Sequence, residues 1–124
     1  MTVKVAINGF GRIGRLALRS IVELRRDDIE VVAINGLGPV ATLAHLLKYD
    51  SVHGPFQGSI ATGEDWIDVG SGRIKVSSER DPSNLPHEEL AVDVALECTG
   101  LFTSREKAES HIRAGAKRVL VSAP

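Results

Sequence analysis

The 124-residue sequence has one cysteine, almost no net charge and no long apolar run. The lone thiol, Cys98, excludes an internal disulfide and a zinc site built from several cysteines, and it favours a reducing compartment. No stretch of about 18 apolar residues occurs, so no membrane span is expected. Residues 1–8 lack the basic start and apolar stretch of a signal peptide. We therefore expect a cytoplasmic protein.

The charges nearly cancel, with 15 Lys and Arg against 16 Asp and Glu. Because no basic blocks stand out, general nucleic-acid binding is not expected. Hydrophobic residues make up 43% of the chain, which is typical of a folded protein and excludes a disordered one. At this length we expect a single domain over residues 1–124.

Apolar patterning predicts strands that alternate with helices. Strands buried on both faces are predicted at 3–7, 29–34, 92–97 and 117–121. Two alternating runs, 66–69 and 73–76, flank a Gly-Ser-Gly turn and predict an edge hairpin with one solvated face. The fold class is therefore α/β, a doubly wound parallel sheet of Rossmann-like type with a small antiparallel hairpin insertion.

Three helices are predicted between these strands. The first follows Gly14 and runs to about Arg26, with its apolar stripe at Ile13, Leu16, Ala17, Ile21 and Leu24. The second begins near Pro39 and extends to about Tyr49, with its stripe at Leu43, Leu46 and Leu47. In the third, Thr103 and Glu106 have the spacing of a capping box, and Gly115 is placed to end the helix.

A glycine-rich motif follows the first strand. Residues 9–14 fit the pattern G-x-G-x-x-G and open a helix inside a strand–helix–strand unit, which is the context a dinucleotide-binding loop requires. Gly9 would allow the tight turn, Gly11 the approach of a pyrophosphate, and Gly14 the packing of helix on strand. The N–H groups near Arg12 and Ile13 would face the phosphates. The alternative is a tight turn without a ligand.

The second strand lacks the acidic residue that usually accompanies this motif. An Asp or Glu about 20 residues further on normally binds the adenosine ribose. Here the strand ends in Asn35 and Gly36. The phosphate half of the site is therefore complete, while the ribose half lacks its usual acceptor. Gly36 can also be interpreted simply as a residue that shapes the loop.

Six stretches of the chain carry a family resemblance. They are residues 7–15 (INGFGRIGR), 32–35 (VAIN), 47–54 (LKYDSVHG), 79–82 (ERDP), 97–103 (ECTGLFT) and 115–124 (GAKRVLVSAP). In order and spacing they resemble the N-terminal, cofactor-binding part of phosphorylating glyceraldehyde-3-phosphate dehydrogenase, an oxidoreductase of glycolysis. The resemblance covers essentially the whole chain and implies NAD or NADP as the cofactor.

The resemblance also implies individual binding residues. The cofactor-binding set is Asn8, Gly9, Gly11, Arg12, Ile13, Gly14, Asn35, Gly36, Arg80, Thr99, Gly100, Phe102 and Ser122. Within it, Arg12 and Ile13 contact the pyrophosphate, and Asn35 lies beside the adenosine ribose. Arg80 touches the adenine end, and Ser122 lies near the nicotinamide ribose. The adenine and ribose wall is formed by Thr99, Gly100 and Phe102.

Two departures from the family affect the expected function. Position 36, ordinarily Asp in NAD-dependent members, is Gly, so tolerance of NADP is expected. The family's nucleophilic Cys and base His belong to the part that follows Pro124, so these 124 residues are expected to bind cofactor without catalysing. Cys98 is expected to be an inert core thiol. The alternatives are a stand-alone dinucleotide-binding or interaction domain, or the matching part of erythrose-4-phosphate dehydrogenase.

The four histidines are not expected to form a second functional site. None of His45, His53, His87 and His111 is expected to form a metal-ligand set or a close pair with a carboxylate. In the family, the cofactor domain is covered by further parts of the protein. We therefore expect exposed apolar surface and self-association.

Overall fold

The computed structural model describes residues 3–23, 28–36, 39–50, 54–55, 60–69, 73–78, 85–98 and 105–121. Its elements are β1 (Val3–Asn8), α1 (Arg12–Glu23), β2 (Ile29–Asn35), α2 (Val40–Lys48), β3 (Tyr49–Asp50), β4 (Gly54–Pro55), β5 (Ala61–Thr62), β6 (Trp66–Asp68), β7 (Arg73–Ser77), β8 (Val94–Glu97), α3 (Arg105–Arg113) and β9 (Arg118–Val121). The predicted alternation of strands and helices is therefore confirmed.

Seven strands form one sheet in the order β5-β6-β7-β2-β1-β8-β9, and β3 pairs separately with β4. The five strands from β7 to β9 in this order run parallel, whereas β5 and β6 are antiparallel additions at the edge. The predicted hairpin is thus the β6–β7 pair. Its turn, residues 70–72, lies outside the described residues. The two-residue β5 was not predicted, because it is too short to show an alternating pattern.

The sheet has two differently packed faces. The α1 face packs its strand residues Val5, Ile7, Val31, Ile34, Ile67, Ile74 and Val76 in one cluster with Leu18 of α1 and with Leu43 and Leu47 of α2. The opposite face, here the α3 face, carries Ala6, Ala33 and Ala95 side by side in adjacent strands. These small side chains allow the neighbouring chain segments to approach the sheet closely. Helices on both faces of a mainly parallel sheet define the doubly wound architecture.

The first helix is rotated relative to its predicted stripe. α1 begins at Arg12, so Gly14 lies in its first turn and not before it. Leu18, which is 1% exposed, is buried one turn after Gly14, whereas Leu16, Ala17 and Ile21 are only partly buried. The close approach at Gly14 explains this rotation, since residues four apart share one helix face. Leu24 and the side chain of Ile13 lie outside the described part.

The second helix buries a narrower stripe than predicted. Leu43 and Leu47, four residues apart, are buried in the α1-face cluster, while Leu46 is 40% exposed. Leu46 and Leu47 lie on opposite sides of Leu43 around the helix, and only the side that carries Leu47 is turned toward the sheet. The expectation for Leu46 was therefore wrong. No helix in the described ranges has both the length and the apolar character needed to cross a membrane.

The third helix ends as predicted at Gly115. The Ala116 N–H donates to the His111 carbonyl (3.0 Å) and the Gly115 N–H to the Ile112 carbonyl (3.0 Å), with Gly115 at φ +119°. This is the Schellman arrangement. The Glu88 N–H donates to the Ala114 carbonyl (2.9 Å), so the end of α3 is joined to the segment before β8. Thr103, the predicted cap at its start, lies outside the described residues.

Candidate functional site

Four parallel strands end at the same level at one edge of the sheet. Asn8 of β1 is in register with Asn35 of β2 and with Glu97 of β8, and Asn35 is in register with Ser77 of β7. The strand order reverses at β1, because β2 lies on one side of it and β8 on the other. In open α/β sheets, ligands bind at the carboxyl ends of the strands beside this switch point. The four strand ends therefore mark the candidate site.

The backbone continues this register beyond the strands. The Gly9 N–H donates to the Asn35 carbonyl (2.8 Å), and the Gly36 N–H donates to the Ser77 carbonyl (3.0 Å). The Cys98 N–H donates to the Asn8 carbonyl (2.7 Å). The loops that leave the sheet at this edge are therefore held together at their first residues.

The glycine loop has the spatial properties that the motif predicted. Gly9 has φ +95°, a conformation that favours glycine. A Cβ on Gly14 would lie 2.2 Å from the Gly9 carbonyl oxygen and 3.1 Å from Cγ2 of Ile7, so α1 packs directly on the loop. In the described part of the chain, a Cβ on Gly11 would meet no atom within 4 Å beyond its two neighbours in sequence, and Gly11 is exposed. The loop is thus closed toward the sheet and open at Gly11.

The start of α1 lies next to this opening. The helix begins at Arg12, and the Arg15 N–H donates to the Gly11 carbonyl (2.9 Å). The first N–H groups of a helix have no partner four residues earlier and lie at the positive end of its dipole. Arg15 also donates from Nη1 to the Phe10 carbonyl (3.1 Å), which anchors the loop to the helix. This arrangement can bind an anion.

The side chains of three strand ends form a buried hydrogen-bonded row on the α3 face. Asn35 Nδ2 donates to Asn8 Oδ1 (2.7 Å), and Asn8 Nδ2 donates to Glu97 Oε2 (2.7 Å). They lie two positions beyond the alanine row, so strand alternation places them on the same face. All three are buried, and Glu97 is only 1% exposed. The polar row thus forms the floor of the site behind the loop.

Two histidines extend this row, and one of them corrects an expectation. His111 Nε2 lies 2.5 Å from Glu97 Oε2, so a histidine does form a close carboxylate pair. His87 Nε2 lies 3.0 Å from His111 Nδ1, and both rings are fully or almost fully buried. No sequence spacing indicates this pair, because only the packing of α3 on β8 brings the two residues together. A charged residue ending a buried strand, Glu97, was the available signal.

His87 is the far end of the row. Among the described residues its Nδ1 has no hydrogen-bond partner. Its ring borders a small recess on the α3 face, which is also lined by Asn8, Asn35, Ser77, Leu85 and Pro86. Burial and, second, the neighbouring His111 lower the pKa of His87 from 6.5 to about 4. His87 is therefore neutral near pH 7.

Of the other residues that the sequence singles out, Cys98 lies in the described part of the chain, whereas several predicted cofactor-binding residues do not. Cys98 follows β8 and is partly buried against the α1-face cluster, less completely than a core thiol would be. In the described ranges, no group of three His, Cys, Asp or Glu side chains is arranged to hold a metal ion. The predicted binding residues Arg80, Thr99, Gly100, Phe102 and Ser122 lie outside the described residues, as do His53 and the side chains of Arg12 and Ile13.

A glycine loop that joins a parallel strand to a helix beside the switch point defines a dinucleotide-binding domain of the doubly wound class. The chain belongs to the family described as glyceraldehyde 3-phosphate dehydrogenase, NAD binding domain, whose model matches residues 3–105. The family resemblance and NAD as the cofactor class are thereby confirmed.

Individual relatives agree with the family assignment. The chain is 68% identical over 124 residues to glyceraldehyde-3-phosphate dehydrogenase of Xanthobacter flavus and 64% identical to that of Cereibacter sphaeroides, all of the chain being covered. It is 57% identical over 121 residues to the enzyme of Thermotoga maritima, with 98% of the chain covered. In these comparisons the chain covers 37%, 37% and 36% of the relative. It therefore spans little more than a third of the length of these relatives.

The buried state of His87 predicts a loss of stability in mild acid. Between pH 6.5 and 4 His87 is protonated in the unfolded chain but not in the folded chain. The free energy of unfolding therefore decreases as the pH is lowered through this range. The expected loss attributable to His87 is about 3 kcal/mol. Urea unfolding at pH 7.5, 6, 5 and 4.5 measures it. His87→Gln should flatten this dependence.

The exposed His45 on α2 provides the control, since His45→Gln should leave the pH dependence of the wild type intact. Parallel curves for the wild type and His87→Gln would show that His87 is not held neutral by the fold.

Proposed function

We propose that the chain binds NAD or NADP along the carboxyl edge of the sheet, with the 9–14 loop around the pyrophosphate. The observation that carries this proposal is the opening at Gly11. This residue directly precedes α1, whose first turn is held against the loop by the close packing of Gly14 on Gly9. A phosphate at Gly11 meets backbone N–H groups at the positive end of the helix dipole. Apart from the two neighbours of Gly11 in the chain, no atom of the described residues lies within 4 Å of a Cβ built at this position.

The other proposed contacts follow from the strand ends and from the resemblance. Asn8 and Asn35 support the adenosine ribose, and Gly36 forms the adjoining loop. Arg12 and Ile13 contribute their backbone to the pyrophosphate. Toward the adenine, ribose and nicotinamide the proposed residues are Arg80, Thr99, Gly100, Phe102 and Ser122. Their support is the position of the matching stretches in the family.

For the whole protein we propose that it oxidises and phosphorylates an aldehyde, giving an acyl phosphate. The names of the relatives support glyceraldehyde-3-phosphate as the substrate. A cysteine thiol attacks the aldehyde, hydride passes to the nicotinamide, and phosphate releases the acyl group. Residues 1–124 form one domain that holds the cofactor, and the thiol comes from another part of the protein. A cytoplasmic location fits the single cysteine in the sequence.

Gly11→Ala tests the loop directly. Among the described residues other than its neighbours in the chain, the added methyl meets no atom within 4 Å, so the free energy of unfolding should change by less than about 1 kcal/mol. The same methyl stands where the pyrophosphate approaches, so NADH affinity should fall about tenfold or more, or at least about 1.4 kcal/mol. Calorimetric titration with NADH and urea unfolding give the two values.

The comparison variant is Gly14→Ala, whose methyl would lie 2.2 Å from the Gly9 carbonyl oxygen. It should lose about 1–3 kcal/mol of stability as the helix is displaced. A Gly11→Ala protein that binds NADH as tightly as the wild type would exclude the proposed phosphate position.

Cofactor choice depends on position 36. Gly36 cannot accept a hydrogen bond from the ribose through a side chain and cannot repel a 2′-phosphate, so NADPH should bind within tenfold of NADH. Gly36→Asp restores both effects and should shift the ratio at least about tenfold toward NADH. Calorimetry with both cofactors measures this ratio.

The structure adds a packing control to that experiment. A Cβ at position 36 would lie 3.0 Å from Cδ1 of Leu43 and 3.5 Å from Cβ of Phe10, so any side chain must displace the end of Leu43. Gly36→Ala introduces this displacement without the carboxylate and should leave the ratio unchanged. A wild type that prefers NADH by tenfold or more, or a Gly36→Asp protein with an unchanged ratio, would show that position 36 does not set the choice of cofactor.

Self-association is proposed from the exposed apolar residues. Leu120 on β9, the end strand of the described sheet, is 61% exposed. Edge strands with apolar side chains readily pair with another chain. Light scattering should show a dimer or larger species at roughly tens of micromolar, where weak contacts register. Leu120→Lys should shift the association equilibrium toward the monomer, whereas Leu46→Lys on α2 should not. A monomeric wild type at that concentration would contradict the proposal.

A further inference from the structure

Glu97 determines the orientation of a neighbouring amide. A carboxylate can only accept hydrogen bonds, so the atom that Asn8 turns toward Glu97 must be its donor, Nδ2 (2.7 Å). The opposite choice would bring the Asn8 carbonyl oxygen against a buried anionic oxygen. The amide of Asn8 is therefore held in one of its two possible orientations.

That orientation is transmitted to Asn35. With its nitrogen on Glu97, Asn8 turns Oδ1 toward Asn35, and Asn35 must meet it with Nδ2 (2.7 Å). The side-chain oxygen of Asn35, Oδ1, therefore lies on the side of the amide that faces away from Asn8. Without the acceptor at Glu97, the hydrogen bond between Asn8 and Asn35 would not by itself determine which atom each amide presents to the other.

His111 keeps the carboxylate in place. Its Nε2 lies 2.5 Å from the same oxygen, Glu97 Oε2, and the ring is fully buried. His87 contacts the other ring nitrogen of His111 at 3.0 Å. The segment that carries His87 is joined to the end of α3 by the Glu88–Ala114 hydrogen bond. The carboxylate thus cannot turn toward a different partner without disturbing α3.

We propose that Glu97 is a positioning residue for the adenosine ribose. Acting through Asn8, it holds the Asn35 side chain so that its amide oxygen, Oδ1, accepts a hydrogen bond from a ribose hydroxyl. This oxygen thereby takes the part of the acidic residue that position 36 lacks. A carbonyl oxygen has two lone pairs, so it can accept this bond alongside another. The inference rests on the proposed dinucleotide site.

The test compares ADP with 2′,3′-dideoxyadenosine diphosphate, which lacks both ribose hydroxyls, by calorimetric titration of the purified protein. The wild type should bind ADP about fivefold or more tightly, as expected for one neutral hydrogen bond. Glu97→Leu removes the acceptor and should bring this ratio close to one. Glu97→Gln should retain the ratio within about twofold, because its amide oxygen can face the two donors, Asn8 and His111.

Ile74→Ala is the matched control for a general loss of stability. Ile74 is buried on the α1 face, away from the polar row, so its truncation should leave the ratio intact. Equal ratios in the wild type and Glu97→Leu, or a ratio lost in Ile74→Ala, would overturn the positioning role. A wild type that binds NADH but does not distinguish the two diphosphates overturns it alone. A wild type that binds none of the three overturns the dinucleotide site as well.

Should Glu97→Leu fail to fold, the wild type itself decides. The side-chain amide protons of Asn8 and Asn35, followed by NMR, should exchange with solvent at least about tenfold more slowly than in the protein unfolded in urea. Exchange at the unfolded rate would show that the amides are not held, and would contradict the proposal.

Discussion

The register between β1 and its two neighbours is the constraint on which the rest of the site depends. It brings Asn8, Asn35 and Glu97 to one level, so three polar side chains that are far apart in sequence meet on one face. Two positions earlier the same register aligns three alanines, against which Val92 before β8 and Ala116 after α3 pack. A slip by one residue in any of these strands would turn its polar end toward the α1 face. Parallel pairing therefore determines both the packing and the site.

A buried carboxylate at such a level imposes its own requirements. Removing an anion from water is costly unless it is hydrogen bonded; Glu97 Oε2 accepts from Asn8 Nδ2 and lies 2.5 Å from His111 Nε2. A carboxylate that accepts donors from two directions also determines which atoms those neighbours present. The row is thus an orienting element, and replacing one member by an apolar residue leaves its neighbours without a hydrogen-bond partner. Its influence extends to Asn35, at the edge where the ligand is proposed to bind.

Much of this arrangement could be predicted from the sequence, and the reasons differ from part to part. Short β-branched runs and the glycine motif predict the sheet and the loop, because they depend on local periodicity and backbone sterics. The rotation of α1 that buries Leu18 could not be predicted, since it follows from the contact of Gly14 with Gly9. The pairing of His111 with Glu97 depends on tertiary packing alone. Sequence reasoning rejected such a pair because no spacing indicated it.

Whether this edge of the sheet binds the dinucleotide is tested by titrating the isotope-labelled protein with NADH and following the backbone amide shifts. The largest changes should fall on residues 9–14 and on Asn35 and Gly36, with small changes in the β6–β7 hairpin. Largest changes in that hairpin or at the exposed face of α2, or no saturable change at all, would contradict it.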